Sequence, residues 1–453
     1  MSESWAMEEV KAACLGDVRR NRRAGRILEA WAEHPESSIP NASGDRSQSN
    51  LAYRFLSQET TSRAALLRSH AEATRVRIRE HEEVWAVQDT TEADLTAQKA
   101  TRGLGPLGRG TTRGLFVHSA LVLSAEGGTP LGLLTQETWA RAPEEKGKAE
   151  DRRKKDIAEK ESSKWLVPLV ACGEIAPEVR VLLIGDREAD IYDLFAHPRA
   201  KHVDLLVRAA QNRRVEGEAA LLWDGVRAAP LAGIVEVEVG RAGERPPRVA
   251  RLEVRFQAVE VSVPRHAKAR AKKKPVALWA IHVREVDAPA GEKPLEWKLL
   301  TTREVATWEQ ALRMVRAYAA RWRVERFHYT LKSGCQVEHL QLETAERLDR
   351  ALVLYSIVAW RLLCLTYRAR EAPEAPCTEM LSAAEWKVLY RKTQRGKALP
   401  EQPPSLREVV LWIGRLGGYM GSNSKSPGVK TIWRGMRRLQ DLLEGARLID
   451  PDL

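Results

Sequence analysis

The chain has 453 residues, 43% hydrophobic and 30% charged, and is long enough to bury a core without a disulfide framework or a structural metal. Its 73 Lys and Arg against 61 Asp and Glu give a formal net charge of +12, which favours a polyanionic partner, with nucleic acid as the leading class. The cysteines form no CxxC pair, which argues against paired-cysteine zinc or redox chemistry; they are Cys14, Cys172, Cys335, Cys364 and Cys377.

The N-terminus and the longest apolar run predict neither export nor membrane insertion. The opening residues MSESWAMEEV lack a basic segment followed by an apolar one. The run from Ala351 to Trp360 is half a membrane span and is followed by Arg361. We therefore expect a cytoplasmic protein with reduced thiols.

Residues 1–70 are predicted to form a small helical domain, with helices over Val18 to Trp31, Ser49 to Phe55 and Ser62 to Arg79 at its end. The first helix is strongly basic because it contains Arg19, Arg20, Arg22, Arg23 and Arg26. Such a cluster suits the phosphates of DNA. The alternative is a charged helix face exposed to solvent.

From residue 84 the pattern alternates between strands and helices. Strands are predicted over Val84 to Gln88, Gly114 to Leu123 and Pro130 to Trp139. A charged, helix-favouring segment over 144–169 follows. The next elements are a strand over Val179 to Gly185, a short helix over Glu188 to Phe195 and a strand over Val203 to Arg208. The order is three strands, helix, strand, helix, strand.

A β-rich insertion is predicted over about 215–303. Alternation of apolar and polar residues marks strands at Ile234 to Val239, Arg251 to Val261, Val276 to Val286 and Trp297 to Leu300. The loop from His266 to Lys274 is strongly basic. Beyond the insertion a long helix is predicted over Ala345 to Arg370, then a proline-rich linker from Pro373 to Pro404, then a helical tail over Leu406 to Leu443 that is interrupted near Gly417 and between Ser422 and Gly428.

The stretch YAARWRVERFHYTLK, residues 318–332, places four functional groups on one edge of a predicted helix. Separations of three, four and seven residues bring Tyr318, Arg321, Glu325 and Lys332 within roughly 60° of arc. Apolar residues border this stripe on both sides, which is unusual for a freely solvated face. The alternative is that Arg321 and Glu325 form an ordinary i,i+4 surface pair.

Two aspartates occur where an apolar strand gives way to polar residues. Asp89 follows the first strand and Asp186 follows VLLIG. Together with Glu325 they would supply the hard oxygen ligands that Mg²⁺ prefers, and two such ions catalyse in-line phosphoryl transfer. Taken singly, each aspartate also fits an ordinary turn or helix N-cap.

Three segments resemble the cut-and-paste DDE transposases of the insertion-sequence-four family. They are VWAVQDTTEADL (84–95), VLLIGDREADIYDL (181–194) and YAARWRVERFHYTLKSG (318–334), and the last fits the family motif Y-x2-R-x3-E-x6-K at every position. The resemblance implies an α/β (α+β) fold with three domains. A helical DNA-binding domain would span 1–70, and an RNase H-like catalytic domain, which includes the β-rich insertion, would span 71–370. A helical dimerisation domain would span 371–453.

The resemblance also implies roles for individual residues. Asp89, Asp186 and Glu325 would be catalytic and hold two Mg²⁺ ions, for which Mn²⁺ can substitute. Tyr318, Arg321 and Lys332 would bind DNA phosphates near the scissile bond, and Arg208 would contact a phosphate. Trp297 would stack on a flipped base, although on its own a tryptophan in LEWKLL reads as a core residue.

By the same resemblance the protein would be a bacterial transposase associated with the nucleoid. It would bind the terminal inverted repeats of a mobile element as a homodimer in a synaptic complex, cleave through a hairpin intermediate and insert into target DNA. Two alternatives stay open at this point: an RNase H-fold nuclease or resolvase that cuts without joining, and a repeat-binding inhibitor that does not cut.

Overall fold

The computed structural model describes residues 4–108, 111–142, 160–217, 220–239, 248–265, 272–421 and 426–450. The chain divides into two units. The first comprises the described parts of Met1–Glu80, Thr90–Lys146 and Arg323–Leu453, and the second those of His81–Asp89 and Gly147–Trp322. The strand β1, Glu83–Asp94, contributes its beginning to the second unit and its end to the first.

The N-terminal part of the first unit is helical, as predicted. Its helices are α1 Trp5–Val10, α2 Val18–Glu33, α3 Ile39–Ala42, α4 Arg46–Ser57 and α5 Arg63–Ile78. Aspartates begin two of them, because the side chain of Asp17 accepts from the amide of Arg19 at 2.8 Å and that of Asp45 from Gln48 at 2.8 Å. The basic helix α2 buries Ile27, Leu28 and Trp31 on its opposite face.

A buried polar network joins α1 to α5. The Nδ1 of His70 donates to Glu9 at 2.6 Å, and Arg77 donates to the same carboxylate at 2.8 Å. The Nε2 of His70 accepts from the amide of Leu133 at 3.0 Å, so the imidazole is neutral. Burial lowers the pKa of His70. Burial acts to raise the pKa of Glu9, but the contacts with His70 and Arg77 outweigh it and hold that pKa at about 2.

We expect acid to destabilise the first unit through this network. A histidine whose folded pKa is lowered stabilises the fold above its unfolded value and loses that contribution as pH falls below about 6.5; Glu9 adds a loss below about 4.5. The midpoint of thermal unfolding should therefore fall between pH 7 and pH 5. In His70→Leu that first part of the fall should disappear, and an unchanged pH dependence in this variant would contradict the assignment.

Three further strands lie in the first unit: β2 Gly105–Pro106, β3 Arg113–Ser124 and β4 Pro130–Trp139. β2 pairs with β3, and β3 and β4 form an antiparallel hairpin. The last two pair antiparallel from Phe116 with Trp139 to Leu123 with Pro130, which confirms the predicted strands and the turn at Gly127. The amide of Leu95, just after β1, donates to the carbonyl of Arg113 at 2.9 Å.

The second unit is built on a mixed sheet. Its other strands are β5 Arg180–Gly185, β6 Val203–Arg208, β7 Leu231–Val239, β8 Arg248–Val261, β9 Val276–Glu285 and β10 Glu296–Thr301. β1, β5 and β6 are parallel neighbours, and β10, β9, β8 and β7 continue the sheet in antiparallel order. The predicted strands of the core and insertion are thus confirmed. Helices α6 Leu166–Gly173, α7 Tyr192–Ala196 and α8 Leu222–Ala228 belong to the same unit.

Two elements of the core differ from the sequence prediction in extent or continuity. β1 does not end at Gln88; it continues to Asp94, although its buried stretch does stop at Gln88. The predicted helix over Glu188 to Phe195 is broken into a 3-10 turn Arg187–Ala189 and α7. The break occurs because the buried carboxylate of Asp190 accepts from the backbone amides of Ala210 and Gln211, which fixes a non-helical conformation there.

The charged segment over 144–169 and the basic loop from His266 to Lys274 are described only in part, from Lys160 and from Lys272 onward. Glu161–Trp165 is a 3-10 helix that leads into α6. Lys273 donates to Asp193 at 2.5 Å, and the hydroxyl of Tyr192 donates to the carbonyl of Lys274 at 2.5 Å. The described end of the basic loop therefore packs on α7.

The remaining helix of the second unit is α9 Trp308–Ala320. Those of the first unit are α10 Trp322–Tyr329, whose first residue belongs to the second unit, α11 Ala345–Glu371, α12 Ala383–Thr393, α13 Leu406–Leu416 and α14 Val429–Ile449. The proline-rich segment is not a linker. Ser382 and Glu385 form a capping box that begins α12, and Trp386 and Leu389 are buried in a core shared with α13 and α14. All five cysteines are free thiols, as predicted.

Candidate active site

Two aspartates lie side by side on parallel strands of the second unit. β1 pairs with β5 in a register whose last partners are Val87 and Ile184. Two residues further along each strand stand Asp89 and Asp186. Adjacent strands are separated by about 4.8 Å and residues in register point to the same face. The two carboxylates are therefore neighbours just beyond the paired residues of β1 and β5.

The backbone around Asp186 is tightly constrained. Its Oδ1 accepts from the amide of Glu188 at 2.8 Å, so the aspartate caps the following 3-10 turn. A Cβ at Gly185 would lie 2.5 Å from the Cβ of Ala189, which explains why glycine precedes the aspartate. Asp186 can therefore be both an N-cap and a metal ligand, because the cap bond uses only one of its two carboxylate oxygens.

Two arginines lie next to this carboxylate pair. The Nη1 of Arg321 is 3.0 Å from Oδ2 of Asp89, with both side chains largely buried. β5 and β6 pair through Gly185 and Val207, so Arg208 follows in register with Asp186. The Nη2 of Arg208 donates to the carbonyl of Glu296 at 2.8 Å. Two carboxylates and two guanidinium groups therefore lie close together, with Asp186 between Asp89 and Arg208 across the strands.

Tyr318 and Trp297 complete the cluster in the second unit. The guanidinium of Arg321 is 5.9 Å from the centre of the Tyr318 ring, and the rings of Trp297 and Tyr318 meet edge to face at 5.1 Å. Burial raises the pKa of the Tyr318 phenol, while the charges of Arg321 and Arg208 act in the opposite direction. Trp297 is only 9% exposed.

Sequence reasoning missed Asp190, which connects the loops that follow β5 and β6. Its buried carboxylate pairs with Arg213 at 2.8 Å and accepts from the amides of Ala210 and Gln211 at 2.8 and 3.1 Å. These contacts hold the chain just beyond Arg208 against the segment that begins with Asp186. The signal was present as the second aspartate of DREAD.

Glu325 and Lys332 lie in the first unit, and the stripe is not one continuous α-helix. Tyr318 is in α9, Arg321 follows as its C-cap, and Glu325 is in the first turn of α10. Thr330–Gly334 is a π-helical turn, a feature common at functional sites. It contains Lys332, whose Nζ donates to the carbonyl of Glu92 at 2.7 Å and lies 3.1 Å from Glu338.

The donor chemistry fits a hard divalent cation, because the candidate ligands are carboxylate oxygens. Within the described ranges no group of three or more His, Cys, Asp or Glu side chains is arranged to hold a metal ion. In this conformation Asp89 bonds Arg321, and Asp186 caps its own turn. The structure thus provides an oxygen-donor pair rather than a complete ligand set.

The predicted DNA-binding arginines of α2 differ in exposure. Arg19, Arg22 and Arg26 are exposed and, at spacings of three and four, share one face. Arg20 and Arg23 are partly buried, and the Nη1 of Arg20 donates to the carbonyl of Leu15 at 2.8 Å. The exposed face is therefore formed by three of the five arginines.

An exposed aromatic next to Arg321 was also missed. Trp322 is 55% exposed, in contrast to the buried Trp297. A large exposed tryptophan beside guanidinium groups is suited to stacking on a base. The sequence signal is the dipeptide Trp322-Arg323 beside Arg321.

Comparisons with protein families cover three successive parts of the chain. Residues 2–61 match the family described as "Transposase DNA-binding", residues 170–361 match "Transposase DDE domain", and residues 357–451 match "Transposase Tn5 dimerisation domain". The second match includes Asp186 and Glu325 and begins after Asp89. No helix in the described residues is long and apolar enough to cross a membrane.

These matches agree with the structure. The DDE domain implies an RNase H-like core, which the mixed sheet with helical N- and C-terminal regions fits. The other two indicate DNA binding and homodimer formation. DDE transposases cleave and join DNA with divalent metal ions, generally Mg²⁺. The three matches together indicate a Tn5-like DDE transposase, which is consistent with the predicted insertion-sequence-four family.

Proposed function

We propose that the protein is a cut-and-paste transposase that binds terminal inverted repeats, excises the element through a hairpin intermediate and inserts it into target DNA. The observation that supports this most strongly is the register that makes Asp89 and Asp186 neighbours, with Arg208 and Arg321 beside them. Carboxylates for metal and guanidinium groups for phosphate are the two requirements of phosphoryl transfer.

Asp89, Asp186 and Glu325 are the proposed ligands of two Mg²⁺ ions, which Mn²⁺ can replace. When bound, such ions supply activation of an attacking oxygen and stabilisation of the leaving oxygen. The protein's own part is to hold the carboxylates in place. Asp89 and Asp186 extend from parallel strands that are buried up to residues 88 and 185, which limits their movement.

Arg208, Arg321, Tyr318 and Lys332 are the proposed phosphate-binding residues. A guanidinium offers paired donors that match two phosphate oxygens, and an ammonium is a compact charge. For Arg321, phosphate binding means exchanging part of its contact with Asp89 for a contact with DNA. One active site would serve nicking, hairpin formation, hairpin opening and strand transfer, because each step exchanges one oxygen nucleophile for another at phosphorus.

Trp297 is the proposed partner of the flipped base in hairpin formation. Its ring packs on Tyr318, so a base that stacks there would join or displace an existing aromatic contact. The adjacent exposed Trp322 offers a second stacking surface.

We expect Trp297→Ala to slow hairpin formation more than first-strand nicking. Base stacking contributes roughly 1–3 kcal/mol, so the hairpin rate should fall by about 10–100-fold. Trp297→Phe should retain part of the rate. Single-turnover assays on end-labelled DNA separate the two steps, and equal loss of both, with a lowered thermal midpoint, would indicate a core role instead.

The division of labour follows the predicted domains. Residues 1–70 bind the terminal repeat, with Arg19, Arg22 and Arg26 presenting the exposed basic face and Arg20 and Arg23 beside it. Residues 71–370 cut and join, and residues 371–453 pair two subunits in the synaptic complex. The enzyme acts on DNA in the bacterial cytoplasm, in association with the nucleoid.

The direct test is to incubate the protein with DNA that carries the element's inverted repeats, a target plasmid and Mg²⁺. Hairpinned ends and joined products are expected. Nicked or cut DNA without joining would indicate a nuclease or resolvase, and a mobility shift without cleavage would indicate a repeat-binding inhibitor.

A further inference from the structure

We propose that Arg323 is a positioning residue that orients Glu325 by fixing α10 against the β3–β4 turn and the C-terminal end of α11. The inference rests on the proposed role of Glu325 as a metal ligand. All the residues that carry it belong to the first unit. None of the assigned catalytic or DNA-binding residues takes part in these contacts.

The guanidinium of Arg323 is held from two sides. It lies 5.0 Å from the centre of the Tyr367 ring in α11, and its Nη2 donates to the carbonyl of Gly127 in the β3–β4 turn at 3.2 Å. Arg370, one turn after Tyr367's position on α11, also lies 5.0 Å from that ring. The planar guanidinium stacks on the Tyr367 ring and donates a hydrogen bond to Gly127 at the same time. The ammonium group of a lysine cannot make both contacts.

The turn is shaped around this side chain. Gly128 has φ +71°, a conformation that favours glycine, and a Cβ there would lie 2.6 Å from Cζ of Arg323. The glycine therefore leaves the space that the guanidinium fills. A substitution at Gly128 should displace the Arg323 guanidinium without changing the sequence of α10.

The same turn is joined to the end of α11 by a second contact. The Oγ of Ser124 donates to the carboxylate of Glu371 at 3.1 Å, and a Cβ at Gly127 would lie 2.5 Å from Cδ of Glu371. Turn and helix end thus form one support, and Arg323 connects α10 to both parts of it.

The position of Arg323 on α10 determines how its contacts affect the orientation of Glu325. Residues two apart on an α-helix are separated by about 200° and by about 3 Å along the axis. Arg323 therefore fixes one face of α10 while Glu325 projects from nearly the opposite face. Tyr329 packs on Trp433 at 5.7 Å near the other end of α10. With Arg323 replaced, the first turn of α10, which also contains the buried Val324, loses its contacts with the β3–β4 turn and with α11.

The test measures metal binding as well as activity. We expect Arg323→Ala to weaken Mn²⁺ binding by the protein–DNA complex by roughly 10–100-fold, the effect typical of residues that orient metal ligands. Free Mn²⁺ is measured by electron paramagnetic resonance. The maximal rate of cleavage should fall while the KM for terminal DNA stays unchanged. Gly128→Ala should show the same pattern, and Arg323→Lys an intermediate one.

Arg326→Ala is the matched control, because Arg326 is an exposed arginine of the same helix; it should leave Mn²⁺ affinity unchanged. Unchanged Mn²⁺ affinity in folded Arg323→Ala would overturn the inference, as would a loss of DNA affinity alone. Glu325→Gln separates this from the proposed function: if that variant binds Mn²⁺ normally, the ligand role of Glu325 fails, whereas weak binding in Glu325→Gln with normal binding in Arg323→Ala overturns only the positioning role.

Discussion

Asp186→Asn is expected to abolish nicking, hairpin formation and strand transfer while leaving terminal DNA binding intact. The amide keeps the shape of the side chain and can still accept from the Glu188 amide as an N-cap, so the local turn should survive. It removes the negative charge needed to hold a divalent cation. A loss of several kcal/mol of transition-state stabilisation corresponds to a rate lower by roughly 10³-fold or more.

Cleavage of labelled terminal DNA in Mg²⁺ measures the loss, and a mobility-shift assay measures binding. Asp224→Asn is the control, because Asp224 is an exposed aspartate of α8 in the same unit; it should cleave at the normal rate. Asp89→Asn should resemble Asp186→Asn, with the added loss of the charge that Arg321 contacts at 3.0 Å. Cleavage by Asp186→Asn at a rate close to the wild-type value would remove this residue from the active site.

The second large effect is expected at Glu83, which is 1% exposed at the start of β1. Its carboxylate accepts from Arg303 at 2.9 Å, from Arg313 at 2.8 Å and from the indole of Trp85 at 3.2 Å. Arg313 is in α9, the helix that ends with Tyr318 and Arg321, and Glu83 begins the strand that leads to Asp89. One carboxylate therefore fixes two elements that carry site residues.

Glu83→Ala removes the buried carboxylate that joins Arg303 to Arg313, although Arg303 keeps Asp204 at 2.9 Å and the Arg313 side chain is 46% exposed. Breaking a buried pair typically costs about 3–5 kcal/mol, and the retained partner and the exposure place this loss at the low end of that range, about 3 kcal/mol. The thermal midpoint should fall by on the order of 5 °C. Glu82→Gln, at the adjacent exposed position, should unfold at the wild-type temperature. Equal midpoints for the two variants would show that the Glu83 network contributes little to stability.

The elements that sequence predicted best are those with a strong local pattern. β4, Pro130–Trp139, and β6, Val203–Arg208, have the predicted bounds; β4 follows the turn signal Glu126-Gly127-Gly128, and β6 contains the apolar run LLV. The basic helix α2 was located from its periodicity. Helix α12 was missed because prolines on both sides suggested a linker, although the SAAE capping box at 382–385 is a local signal for its start.

What could not be predicted depends on contacts between distant residues. The helix expected after Asp186 is broken by bonds from Asp190 to residues about twenty positions later. The adjacency of Asp89 and Asp186 required the register of β1 on β5, and no local pattern specifies it. The support of Arg323 by Gly127 likewise joins residues 196 positions apart.

The most direct test of the active-site assignment is crystallography of the complex with terminal DNA and Mn²⁺, with the ions located by their anomalous scattering. We expect manganese between the carboxylates of Asp89 and Asp186, with Glu325 as a further ligand and the scissile phosphate alongside. Manganese at other side chains in a complex that cleaves DNA, or a Glu325 carboxylate that binds no ion, would contradict the assignment.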